Sequence, residues 1–208
     1  MAAWGRGVAA VAIMAALSGC LSNLPAPDSI QLAPVPGVAL PFKARVMVFV
    51  GETDIARKLT IALTRYQSEE TNIREGLALA KAAKLVLAKG FETVEVNDPS
   101  IRPQIVVKLT GSKASWSRLD GKMKTGCAVD AWTSDGIPLG NFVARYDADR
   151  TDYTSELEAA FAQCLKKPVE ELLNSPALAR LAGTGFRAPS VAAYDAWMRS
   201  LGPIPPFM

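Results

Sequence analysis

Gln104 to Tyr146 reads QIVVKLTGSKASWSRLDGKMKTGCAVDAWTSDGIPLGNFVARY, and the fold turns on this stretch. Three strand-like runs, Gln104 to Arg118, Lys122 to Ser134 and Ile137 to Tyr146, are separated by Asp120-Gly121 and Asp135-Gly136. Both residues of an Asp-Gly pair tolerate positive φ, so each pair closes a two-residue hairpin. Two in succession predict a three-stranded antiparallel meander. Strict two-residue turns set Leu119 opposite Lys122. Leu109 and Trp132 then share one face while Cys127 and Val129 share the other. A bulge at Gly111 or at Gly126 would regroup the apolar residues, and the sequence leaves both open.

Upstream, Ala44 to Val50 (ARVMVFV) is near-continuously hydrophobic, as a buried strand is. From Asp54 to Tyr66, Ile55, Leu59, Ala62, Leu63 and Tyr66 fall at helical spacing. Ile73, Leu77, Ala80 and Leu87 resume the stripe, with Gly90 as its stop. The polar residues between favour two helices with a break near Ser68–Asn72 over one long bent helix. Phe91 to Val96 is a strand ended by an Asp98-Pro99 turn. Downstream, Asp152 to Asn174 is the clearest helix. Thr151, Asp152 or Thr154 can cap it, and Glu156 and Glu158 complement its dipole. Leu157, Phe161, Cys164, Leu165, Val169 and Leu172 form its buried stripe, and Pro168 should kink or divide it. Ser175-Pro176 starts a short helix through Leu181. This order predicts an α+β two-layer sandwich: a mostly antiparallel sheet with a three-stranded meander, and helices packed on one face.

The N-terminus supplies the address. Arg6 precedes an apolar run from Val8 to Leu17, which is too short to span a bilayer and has the layout of a cleaved signal. It ends in Leu17-Ser18-Gly19-Cys20, which resembles the lipobox of bacterial lipoprotein precursors. The resemblance implies that residues 1–19 are removed and that Cys20 is acylated as the first mature residue. Stable anchoring through several acyl chains follows. Leu21 stands where Asp would favour inner-membrane retention, so the expected place is the outer membrane, facing the periplasm. Residues 20–43 carry Pro25, Pro27, Pro34, Pro36 and Pro41, and read as an extended tether contributing nothing to a core. Residues 44–183 are then a single periplasmic domain, and 184–208 a tail with a short amphipathic helix.

Composition narrows the chemistry. A formal charge of +3 is too small to argue for nucleic acid. With no histidine, the commonest general base and zinc ligand are both missing. No metal-binding or cofactor-binding motif is present, so no cofactor is expected. Asp130, Asp135, Asp147, Asp149 and Asp152 sit near strand ends and turns, where aspartate is ordinary.

Three groups of residues remain as candidates. Cys127, on the middle strand of the meander, and Cys164, on the helix stripe, suit a disulfide in an oxidising compartment; the alternative is two buried thiols. The closed loop of about 38 residues would contribute roughly 3–4 kcal/mol. Lys108, Lys122 and Lys124 fall on the meander, with Lys113 and Arg118 near its first turn. Together with Trp116 or Trp132 they form either a surface for an anionic ligand or merely a solvated face. Val191, Tyr194, Trp197, Met198 and Leu201 form an apolar stripe that docks back on its own domain, on a partner protein or at the membrane. The element order over roughly residues 44–174 is similar to that of outer-membrane accessory lipoproteins of the lipopolysaccharide-transport or curli-secretion type. That resemblance implies a non-enzymatic accessory component of an envelope assembly or transport machine, with an envelope protein as partner. A carrier or sensor of an anionic lipid or glycan is the alternative, and a periplasmic hydrolase ranks third.

Overall fold

Near-continuous apolar residues in Phe42–Phe49 (β1) must be covered on both faces, and the fold is built around that need. The structure, a computed structural model, describes residues 24–62, 70–116, 122–148 and 154–207. β1 lies between Phe91–Val96 (β4) and Ile105–Lys108 (β5), parallel to both. Met123–Thr133 (β7) pairs antiparallel with β5, with Lys113–Trp116 (β6) and with Pro138–Ala148 (β8). The sheet is therefore mixed, not mostly antiparallel. The turn expected at Asp98-Pro99 is formed, but it does not fold the chain back antiparallel to β4. The chain instead steps over β1, crossing two strand spacings of about 10 Å in all. Asn97, at positive φ, holds this crossover in place. Its amide accepts from the Val50 N–H (2.8 Å) and donates to the Val50 carbonyl (2.9 Å), extending the ladder by one side chain.

The meander is present, and its bulge is at Gly111. Lys108 stands opposite Asp130, but Lys113 stands opposite Gly126. Five steps on one strand thus match four on the other, and one residue is extra. Gly111 takes φ +74° there. Ser112 repairs the ladder: its hydroxyl accepts from the Ala128 N–H (2.9 Å) and donates to the Ala128 carbonyl (3.2 Å). Trp116 stands opposite Met123, a two-residue offset from the expected register; the turn itself lies outside the described residues. The Asp135-Gly136 hairpin keeps the expected register along most of β8, with a shift between Ala131 and Trp132.

The helix expected from Asp54 to Tyr66 is not formed where the structure describes it. Helix α1 covers only Glu52–Ile55, and Leu59–Ala62 (β2) pairs with Glu70–Ile73 (β3). β-branched Thr60, Ile61, Thr71 and Ile73 favour strand over helix, and the Thr60 hydroxyl donates across the pair to Asn72 (2.8 Å). Residues 63–69 lie outside the described residues. The second half of the stripe does form a helix, Glu75–Leu87 (α2).

Thr154–Leu173 (α3) and α2 pack on each other and on one sheet face. Pro168 sits inside α3 without dividing it, and the whole predicted stripe from Leu157 to Leu172 is buried. The capping residues 151–153 lie outside the described residues. Pro176–Gly183 (α4) follows, N-capped by the Ser175 hydroxyl.

Two expectations about the layers need correction. Val191–Ser200 (α5) packs on the opposite sheet face, against Met47 and Val106, so helices cover both faces of part of the sheet. The proline-rich segment also does not stand clear. Ile30 is buried in the core, with Leu24, Leu32, Val35 and Leu40 packed beside it. A short 3-10 turn at Pro27–Ser29 contacts α2 and α3. Proline fixes backbone shape at low entropic cost, so it serves a docked strap as well as a free spacer.

Candidate functional site

Opposite residues in a ladder share a face, so register assigns every side chain to a side. Val46, Val48, Ile105, Val107, Cys127 and Val129 point into the layer of α2 and α3 and are buried. The outer face carries Met47, Phe49, Val106, Lys108 and Trp132 at one end. At the other it carries Lys113, Ser115, Lys124, Gly126, Ala128, Val143, Arg145 and Asp147.

Helix α5 covers the first end. The Trp197 ring lies 5.4 Å from that of Trp132. Met198 is buried, Leu201 and Tyr194 pack beside it, and the Tyr194 hydroxyl donates to the Pro99 carbonyl (3.0 Å). Val191, the first residue of the predicted stripe, stays 68% exposed. Gly136 serves both its turn, at φ +88°, and this packing, because an added Cβ would come within 3.1 Å of Trp197. The Lys108 ammonium sits over the Phe49 and Trp197 rings, 5.9 and 5.4 Å from their centres, so the tail helix holds it in cation–π contact.

Among the described residues nothing covers the second end. Gly126 lies mid-strand between Lys113 and Arg145, and Lys124 lies between Ser115 and Asp147. Lys113, Lys124 and Arg145 are all exposed. They line a groove of about 1060 Å³ with Ala128, Val143 and Asp147. Lys167 of α3 also lines it, and four cations against one carboxylate make its field positive. Gly126 forms the floor, where the nearest atom to an added Cβ would be the Lys113 carbonyl, at 4.0 Å.

One wall of the groove is an open strand edge. Ser112 bonds both backbone groups of Ala128, so the even residues of β7 face β6 and the odd ones face β8. By register, the backbone groups of Asn141, Val143, Arg145 and Asp147 then point away from the sheet. Such a row is a template for a further strand unless it is blunted. Pro138 and the bulge at Leu139–Gly140 blunt only its start, and Val143 is 62% exposed.

The other wall is held rigidly. The Arg57 guanidinium donates to Glu75 Oε2 (2.7 Å), to Asp54 Oδ1 (2.7 Å) and to the Ser112 carbonyl (2.5 Å). Glu75 is 2% exposed, and its other oxygen accepts from the Ala114 N–H. This network ties the N-terminus of α2 to the bulge and so fixes the direction of Lys113. A buried carboxylate bonded on both oxygens is costly to disturb.

Of the predicted lysines, Lys124 lies in the groove, Lys108 lies under α5, and Lys122 is half-buried just before β7. Trp116 packs on the core side and Trp132 under α5, so neither lines the groove. Arg145 and Gly126 complete this surface: Arg145 stands opposite Gly126 as the Asp135-Gly136 turn dictates, and a two-residue offset of β6 brings Lys113 to the other side of the same glycine. Asp135 accepts from the Thr133 hydroxyl in the hairpin turn, and Asp130 accepts from Asn141. Asp149, Asp152, Arg118 and Cys20 lie outside the described residues. Cys127 and Cys164 meet in the core as thiols. Burial, together with the neighbouring Cys164 sulfur, pushes the Cys127 thiol far up. The Cys164 thiol is directed at the carbonyls of Thr125 and Ala144, each at 3.6 Å.

Among the described residues no helix is long and apolar enough to cross a membrane, and no group of side chains could hold a metal ion. No family model and no curated protein matches the chain. Among solved structures, it is similar to a DUF330 protein from Xanthomonas campestris. The identity is 12% over 74% of this chain and 96% of that one, with a TM-score of 0.41. It is also similar to the PelC dodecamer subunit from Paraburkholderia phytofirmans, at 17% identity over 64% and 93%, with a TM-score of 0.36. Both likenesses are too loose to place the chain in either family.

Proposed function

We propose that the chain is an outer-membrane lipoprotein, acylated at Cys20 and facing the periplasm, that acts by binding and not by catalysis. It serves as an accessory component of an envelope assembly or transport machine, and the open groove is its binding surface. The observation that carries this reading is Gly126. Glycine weakens a strand interior, and here neither a positive φ nor a close neighbour requires it. A bare floor between Lys113 and Arg145 is what an anionic group needs to settle against the sheet, with cations on either side. Acylation confines the groove to a thin layer at the membrane and raises its effective concentration for partners there.

The anchor and the groove are tested separately. Cys20→Ser should move the chain from the membrane to the soluble fraction; continued membrane association would contradict the anchor. For the groove, the native lipoprotein and a Lys113→Glu/Lys124→Glu/Arg145→Glu variant are captured from detergent-solubilised membranes, and proteins and lipids are identified together. An envelope protein held by the native chain alone supports the accessory reading. The positive groove also suits a second reading, a carrier of an anionic lipid or glycan. A stoichiometric lipid or glycan with no protein partner would select it.

Cys127 and Cys164 we read as a disulfide in the mature protein. Each thiol gives up one hydrogen to a disulfide-donating oxidase of the periplasm, which is reduced to its dithiol as the S–S bond forms. Protein denatured without reductant should then resist alkylation at both positions; full alkylation would contradict the bridge.

A further inference from the structure

The groove does not stop at the outer face of the sheet. Lys167 lines it together with Val143, Ala144 and Arg145, yet Lys167 belongs to α3, which packs on the inner face. The ladder between β7 and β8 is paired from Met123 and Ala148 to Ala131 and Gly140. The Lys167 side chain therefore meets the groove only past the edge of β8, and the groove wraps around that edge. Along it, the backbone groups of Val143, Arg145 and Asp147 point outward by register. Among the described residues no backbone group bonds them. Such alternate residues present donors and acceptors in a row, repeating roughly every 7 Å. Another extended backbone matches that row. A phosphate or a lone carboxylate would use the donors and leave the carbonyls unmet.

We infer that the groove takes an acidic, extended segment of a partner protein, added to the sheet as a further strand beside β8. This inference rests on the groove being the binding surface, as proposed above. Main-chain bonds to the edge would supply affinity, and the charges around it would select the sequence. An added strand carries one side chain on the outer face level with Arg145, in the row formed by Lys113, Gly126 and Arg145. The next side chain points to the inner side, where Lys167 reaches the groove. Both places call for a carboxylate, so the segment is marked by two adjacent acidic residues. Two residues away on the outer face the neighbours are Val143 and Asp147, which call for neutral side chains. The same cations argue against a second copy of this chain as the occupant. Two β8 edges paired about Arg145 would set the two guanidinium groups opposite each other and bring two positive grooves together.

The test follows amide hydrogen exchange of the full chain by NMR, with the blocked peptide Thr-Val-Thr-Glu-Glu-Thr-Val-Thr as probe. Its backbone N-methylated twin keeps both carboxylates and loses the strand donors. In the free chain the Val143, Arg145 and Asp147 amides should exchange fast, and those of Ala144 and Tyr146 slowly. Saturating peptide should slow the first three at least about tenfold, while the methylated twin leaves them unchanged. Val143→Pro removes an outward N–H that β7 does not use, so the fold should persist while the peptide binds about fivefold more weakly or worse. No binding, equal protection by both peptides, or full-strength binding to Val143→Pro would overturn the inference. So would self-association of the native chain that Val143→Pro abolishes, which would make a second copy the occupant. Capture from solubilised membranes separates this inference from the reading beneath it. A molecule lost from the Lys113→Glu/Lys124→Glu/Arg145→Glu variant but kept by Val143→Pro would overturn the added strand and leave the groove standing. No molecule lost from the charge variant would overturn both.

Discussion

The two ends of the outer sheet face share a strand and differ in everything that strand presents. On β7, Trp132 meets the aromatic side of α5, while Gly126 and Ala128 a few residues away meet nothing large. Beside Trp132 are Met47, Phe49 and Val106; beside Gly126 are Lys113 and Arg145. A large apolar surface left in water costs free energy in proportion to its area, so the first end needs a cover and the tail supplies it. The second end was built with small and charged residues and needs none. The tail helix thus completes the fold, and the groove is what the fold leaves available.

Substitutions that treat the two ends alike should have unlike effects. The largest is expected for Val106→Asp, which buries an unpaired carboxylate under α5 and should cost about 4 kcal/mol in urea unfolding. Val143→Asp, the same change on the open end, should stay within about 0.5 kcal/mol of the native protein. Similar losses at both positions would erase the distinction. Next is Trp197→Ala, expected to cost about 2 kcal/mol, since the ring is only half-buried. It should also make the tail sensitive to protease, whereas an unchanged cleavage pattern would mean α5 is held by something other than its apolar face. The smallest and sharpest is Gly126→Val. A β-branched residue with room for its side chain should raise stability by about 0.5 kcal/mol. The same methyl groups would fill the floor of the groove, so binding should fall as stability rises. A variant that gains stability and keeps its ligand would remove Gly126 from the account.

The sequence was most legible where one period ran unbroken. The stripe from Leu157 to Leu172 gave α3 to within two residues at each end, and Phe91 to Val96 gave β4 as a whole. It misled where one local signal competed with another, or with the pairing of the sheet. Ile55, Leu59 and Ala62 sit at helical spacing, yet the four residues of β2 pair with β3 just downstream, where β-branched Thr60, Ile61, Thr71 and Ile73 make the strand pair the better local solution. Asp98-Pro99 is a good turn, but a turn does not say on which side of β1 the next strand lands. The strap is hard to read because a proline-rich run suits a free spacer and a docked segment equally, and nothing local reveals the hydrophobic seat that Ile30 fills. The groove was half legible: the two Asp-Gly turns already set Lys113, Lys124 and Arg145 on one face, but which of them stand side by side depends on the two-residue offset of β6, and that the face is left uncovered shows only in the structure. Register, not composition, makes that surface.

The measurement that bears most directly on the central claim is the paired capture of the native chain and the Lys113→Glu/Lys124→Glu/Arg145→Glu variant. Proteins and lipids would be identified together, and unfolding of the two chains compared alongside. The account predicts equal stability, with at least one envelope protein retained by the native chain and lost from the variant. The same set of molecules on both chains would contradict it.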